Sequence, residues 1–298
     1  MFEMHREPSP ARLMRHRAWQ LHQTTLSRCR ALGGDLTFDL TTALGLLGRP
    51  APYTCDLPGG DPHVAFADAS SMRHVDGAQC RRWAPLGAPG AVIDVGGIRC
   101  LSPAATFARM AGHCSLDDLV AIGDSLTCRD RSLRRVTANG LARFLDGCGR
   151  FVGRPQAMHA LRLVRENTDS PAETRLRLLA MRCGLPCPEP DVIIAKDPRE
   201  IRIDMGWPLY KVGLDYHGAH HRGQYEADLD RANAILAERW IVFQITAGMI
   251  ADDDAVWALF SDVAAALRRA GASGVASHAP VPTSELGRRP VGRPRIRG

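Results

Sequence analysis

Between Ser170 and Gly271 the apolar residues follow helix spacing, then strand spacing three times, then helix, strand and helix again. That order calls for an α/β fold, a sheet with helices packed against it. The first helix is announced by Ser170-Pro171-Ala172-Glu173: a capping serine, a first-turn proline and a glutamate at the third helical position, a near-complete capping box. It continues through Leu176, Leu179 and Ala180 to Gly184. Residues 192–195 are a short apolar strand, with Lys196-Asp197-Pro198-Arg199 as its turn. Residues 200–205 alternate, which predicts Ile201, Ile203 and Met205 on one face and Arg202 and Asp204 on the other. The third strand is expected at 209–216. Residues 224–239 form an amphipathic helix with Tyr225, Leu229, Ala232, Leu236 and Trp240 as its expected inner stripe. A fourth strand at 240–246 and a closing helix at 252–270 complete the set, the latter with Val256, Leu259, Phe260, Val263 and Leu267 inward.

The rest of the 298 residues divides at shifts of composition. Residues 1–34 are a basic N-terminal arm with apolar residues at loose helical spacing, either a solvated segment or one that meets DNA. Residues 35–150 are expected to be a mixed α+β domain. Two apolar runs flank Gly96-Gly97 as a hairpin, and Ser102-Pro103 and Ser115 open helices. No catalytic constellation is visible there. A connecting helix is expected at about 155–167 within 151–169, the helix-and-strand segment above is 170–271, and 272–298 is a basic tail expected to be disordered. Nine cysteines without a CxxC pair argue for a reducing compartment, hence the cytoplasm, and against a disulfide framework or a cysteine zinc site. No apolar run is long enough for a membrane helix, and the N-terminus lacks a signal-type stretch. The net charge of +6 is compatible with a polyanionic partner.

The chemistry lies in acids and histidines on the later strands. Asp204 and Asp215 sit eleven residues apart on consecutive strands, a spacing that lets the strands pair and bring both carboxylates to one edge. Hard oxygens so placed suit Mg²⁺, with Mn²⁺ as an alternative. Such an ion polarises a scissile phosphate and lowers the pKa of an attacking water. His217 shares the side of Asp215 by strand alternation, and His220 and His221 follow just past the strand. Plainer readings stand beside these. Glu173 is also the capping-box partner of Ser170, Asp204 is also placed as a turn acid, and the histidines are also read as surface polarity or a zinc site. Arg231 either contacts phosphate or pairs with Asp228 one turn earlier.

The stretch from Ser170-Pro171-Ala172-Glu173-Thr174-Arg175-Leu176 to Trp240-Ile241-Val242-Phe243-Gln244-Ile245-Thr246 resembles a very-short-patch-repair-endonuclease-like domain of unknown function, common in actinobacterial proteins. Gly184-Leu185-Pro186, Asp204, the Gly-His-His neighbourhood at 218–221 and Asp228 to Arg231 carry the resemblance over about 100 residues. That domain belongs to the PD-(D/E)xK nuclease superfamily, so the resemblance implies a restriction-endonuclease-like αβββαβ fold. It implies Asp204 as the first metal-binding acid, Asp215 as the second, Glu173 as the acid on the leading helix, and His220 or His221 as the histidine after the third strand. Two positions depart from the pattern: Asp215 stands where relatives have glutamate, and His217 stands where the superfamily motif has lysine. Residues 35–150 are similar, less specifically, to the part that precedes this domain in proteins that often begin with an AbiEi-type antitoxin segment, which implies a possible toxin–antitoxin partner. The run at 289–295 is similar to an AT-hook, so Arg289, Gly292, Arg293, Pro294 and Arg295 are expected to lie in an A·T minor groove. The expectation is a Mg²⁺-dependent DNA endonuclease or nickase. The alternative is a non-cleaving, DNA-binding regulator or antitoxin-like protein on a lapsed nuclease fold. The sequence leaves the oligomeric state open.

Overall fold

A computed structural model of the chain describes residues 10–195, 200–217 and 225–287, with the backbone alone at 10, 217 and 225–228. The protein is α/β and divides into two compact units, Met1–Asp169 and Ser170–Gly298.

In the first unit, the segment expected as a basic arm is one helix, α1 (Pro10–Leu32), ending before Gly33 at φ +63°. It is a packed element, because Leu26 and Cys29 are buried. It also crosses α2 (Leu40–Leu46) so closely that a Cβ on Gly45 would collide with the Thr25 side chain. The strands β1 (Thr37–Phe38), β2 (His63–Phe66), β3 (Gln79–Arg82), β4 (Val92–Val95) and β5 (Ile98–Leu101) form a mixed sheet in the order β3-β2-β1-β5-β4. The β4–β5 hairpin turns at Gly96-Gly97, both at positive φ, where a side chain would be strained. The helices α3 (Pro103–Met110), α4 (Leu116–Leu126), α5 (Ala138–Gly147) and α6 (Arg154–Leu163) pack together beside it. The first three are capped by the Ser102, Ser115 and Thr137 hydroxyls, which accept orphan backbone N–H groups. The helix expected at 155–167 is α6, and it belongs to this unit.

The second unit runs α7 (Pro171–Arg182), β6 (Glu189–Ala195), β7 (Ile201–Trp207), β8 (Val212–His217), α8 (Tyr225–Ala237), β9 (Ile241–Thr246) and α9 (Asp253–Arg269). Its sheet has the order β6-β7-β8-β9, antiparallel up to β8 and parallel between β8 and β9. On one face Met205, Trp207, Val212, Leu214 and Ile245 pack with Leu176 and Ala180 of α7 and with the buried stripe of α9. On the other, Val192, Ile201 and Ile203 pack with Ile235 of α8 and with Trp240.

Three expectations need correction. The third strand starts at Val212, because Pro208–Tyr210 forms a 3-10 turn ahead of it. Ile203 and Met205 do not share a face; they join different clusters, so the alternation of β7 breaks at Asp204. The inner side of α8 is Arg231, Ala234 and Ile235, whereas Leu229, Ala232 and Leu236 are exposed. The expected stripe treated Arg231 as a surface residue, and the structure gives it an acid to reach inward for.

Candidate active site

β7 and β8 pair through Trp207↔Val212, Gly206↔Gly213 and Met205↔Leu214. That register ends at Met205↔Leu214, one residue short of Asp204 on β7 and of Asp215 on β8. Asp215 is on the face covered by α8, where Arg231 reaches it. The ladder gives way at this point to a side chain: Asp204 Oδ2 accepts the Tyr216 N–H at 2.7 Å. That bond replaces a lost backbone pairing and fixes the orientation of the carboxylate. On the far side of β7, the pairs Pro190↔Met205 and Val192↔Ile203 leave Asp191 opposite Asp204, with Asp191 at φ +57°. Asp191 and Asp204 are therefore neighbours across β6 and β7, and Asp215 lies on β8 just past the last backbone pair.

Cations balance two of them. Arg231 of α8 donates to Asp215 Oδ2 at 2.8 Å and, from the same Nη2, to the Arg202 carbonyl at 2.6 Å. Arg202 bonds Asp191 at 2.6 Å and Glu200 at 2.8 Å. Its hydrogen bonds to Glu200 and then Asp191 push the Arg202 pKa above its usual range, so it stays charged. Asp215 is nearly buried and its charge is matched by a half-exposed guanidinium. No family model, curated protein or solved structure matches this chain.

Asp204 and Asp215 lie at the ends of the paired segments of β7 and β8, and the Asp204 carboxylate accepts the N–H of the residue after Asp215. Glu173 sits in the first turn of α7 with its N–H on the Ser170 hydroxyl at 3.2 Å, and α7 packs on the opposite face of the sheet from α8. Among the described residues, no three His, Cys, Asp or Glu side chains form a metal-holding group. His217 ends β8, its backbone paired with Thr246 of β9, and its imidazole lies outside the described side chains. His220, His221 and the turn at 196–199 lie outside the described residues, as do Arg289, Gly292, Arg293, Pro294 and Arg295. Arg231, expected at phosphate or on Asp228, is placed on Asp215. Sequence reasoning missed Asp191 and Arg202. The available signal was an ionisable residue within each of two paired strands, eleven apart, as with Asp204 and Asp215.

Proposed function

We propose that the second unit is the catalytic part of a Mg²⁺-dependent DNA endonuclease or nickase that also accepts Mn²⁺. The observation that supports this best is the Asp204 carboxylate held on the Tyr216 N–H, one residue from Asp215 on the adjacent strand. Two hard carboxylates held by β-strands fit a divalent ion that keeps several waters and takes further oxygens from a phosphate. Asp204 and Asp215 would hold it; when bound, it supplies positive charge at the scissile phosphate and acidifies a nearby water. The chain's own groups do the rest. The Tyr216 N–H aims Asp204, and Arg231 orients the Asp215 carboxylate. His217, with His220 or His221, would take the proton of the attacking water, and Glu173 would act on it through a second water. The tail would add sequence-tolerant, salt-sensitive affinity for DNA.

A second reading, a DNA-binding regulator of antitoxin-like type that does not cut, is favoured by the Arg231–Asp215 ion pair. A guanidinium already neutralises one acid of the pair, and histidine replaces the motif's lysine at 217. Supercoiled plasmid incubated with the protein and Mg²⁺ or Mn²⁺ separates the two. Endonuclease activity requires metal-dependent nicking that falls at least about 100-fold in Asp204→Ala and in Asp215→Ala. Plasmid bound but left intact by the wild type supports the regulator.

A further inference from the structure

Cys55 and Cys114, two of the nine cysteines, face each other across an isolated antiparallel β-bridge in the first unit. The Asp56 N–H donates to the His113 carbonyl at 3.0 Å. A bond from the residue after one partner to the residue before the other marks a non-hydrogen-bonded pair, the arrangement that brings opposed side chains closest, with Cα atoms about 4.5 Å apart. Disulfides span Cα separations of about 4.4–6.8 Å and Cβ separations of about 3.5–4.5 Å. The pair therefore meets the backbone requirement with a small adjustment or none.

Its surroundings hold both strands in that register. The Asp118 carboxylate accepts the Tyr53 N–H at 3.1 Å, the Thr54 N–H at 3.2 Å, the Thr54 hydroxyl at 2.5 Å and the Ser115 hydroxyl at 2.8 Å. It thus ties the residues just before Cys55 to the residue just after Cys114. One position further, His113 Nδ1 meets Asp56 at 2.9 Å. The two thiols differ in access: Cys55 is exposed, whereas Cys114 is partly buried and donates to the Met110 carbonyl at 3.3 Å. Burial, with Asp118, Cys55 and Asp56 nearby, pushes the Cys114 thiol up to about 12. An oxidant therefore meets Cys55 first, and Cys114 waits as a protonated neighbour.

We propose that Cys55 and Cys114 are a disulfide-forming modification site, closed by a peroxide-class oxidant. The Cys55 thiol gives up its proton and its sulfur attacks a peroxide oxygen; the O–O bond breaks, the departing hydroxide takes up that proton and leaves as water, and a sulfenic acid remains on Cys55. The Cys114 sulfur, losing its proton, then displaces hydroxide from the Cys55 sulfur, and hydroxide leaves as a second water. Two thiols lose two electrons, one S–S bond forms, and the peroxide is fully reduced. The cross-link closes a loop of about 60 residues, which restricts the unfolded chain and stabilises the first unit.

The proposal is independent of whether the second unit cuts DNA. The full chain is titrated with hydrogen peroxide, remaining thiols are alkylated, and peptides are mapped without reduction. The expected first product is a Cys55–Cys114 cross-linked peptide, lighter by two hydrogens. The melting temperature of the oxidised protein should rise by about 5 °C. Dithiothreitol should reverse the rise, and Cys55→Ser or Cys114→Ser should abolish it. A different first pair (buried Cys29 with Cys100, for instance) would overturn the proposal. So would Cys55 accumulating as sulfinic acid while Cys114 stays alkylatable, or no cross-link at all.

Discussion

Arg231 and Asp215 form an ion pair in which the acid is the more deeply placed partner, 10% exposed against 37% for the guanidinium. Removing the arginine strands a nearly buried charge, and a ligand that supplies positive charge should repair the loss. Arg231→Met is therefore expected to destabilise the second unit by about 1–3 kcal/mol in EDTA. Mg²⁺ or Mn²⁺ should recover more stability in the variant than in the wild type, because binding to the folded state raises stability by mass action. Melting curves with and without metal check this; equal metal shifts in both proteins would remove Asp215 from the ligand set. His63 supplies a second test at this scale. Its N–H is held by the Thr42 hydroxyl at 2.9 Å and its Nδ1 lies 3.0 Å from Arg81 Nη1. Burial first, then Arg81, lowers the ring to about 4. The unfolded chain takes up this proton below about 6.5, whereas the folded chain resists it down to about 4. Stability from this group is complete above the upper value and declines as pH falls through the window, by up to about 3 kcal/mol. His63→Gln should flatten the decline in a series of melts from pH 7 to pH 4.

Strand β7 changes its facing at Asp204, and the neighbouring Gly206–Gly213 pair is what the break requires. A Cβ on Gly213 would collide with Ile203 Cδ1, and one on Gly206 would lie 2.7 Å from the Val212 carbonyl oxygen. The first obstacle is the end of a flexible side chain and the second is backbone. Gly213→Ala should therefore cost about 1–3 kcal/mol and be partly rescued by Ile203→Val, whereas Gly206→Ala should not be rescued by it. Urea denaturation of the four variants decides, and equal behaviour of the two glycines would show that this packing does not constrain the strand. The same element shows what sequence pattern can and cannot convey. The Ser170 cap, the Gly96-Gly97 hairpin and the inward stripe of α9 were legible because each depends on residues a few positions apart. The break at Asp204 was not, since Ile203 and Met205 are equally apolar and only their packing into different clusters separates them. The rotation of α8 was hidden for a related reason: Arg231 faces inward because Asp215, sixteen residues earlier, is there to receive it. That Asp204 and Asp215 lie on neighbouring strands was legible from spacing, but the arginine that meets Asp215 was not.

Over the whole molecule, charge is distributed unevenly. The last eleven residues contain five arginines and no acid, and so account for five of the six net positive charges. The preceding 287 residues carry a net +1, which leaves them little general attraction for a polyanion beyond local arginine groups. If the protein binds DNA as proposed, the sequence-tolerant part of its affinity should therefore reside mainly in residues 288–298. Each arginine that neutralises a phosphate adds about 0.9 to the slope of log affinity against log salt. Deleting 288–298 should then lower the slope by about 2–4, since in the proposed binding mode some of the five arginines would enter a groove and not meet phosphate. Asp204→Ala should leave the slope unchanged. Charge alone and groove fit can be told apart within the tail: Gly292→Ala keeps every arginine but thickens the segment where the minor groove is narrowest. It should reduce the preference for A·T-rich over G·C-rich duplex and leave the salt slope intact. A truncated chain with the wild-type slope would place the phosphate contacts in the two units instead. In that case the local arginine groups, and not the tail, would determine where the protein meets DNA.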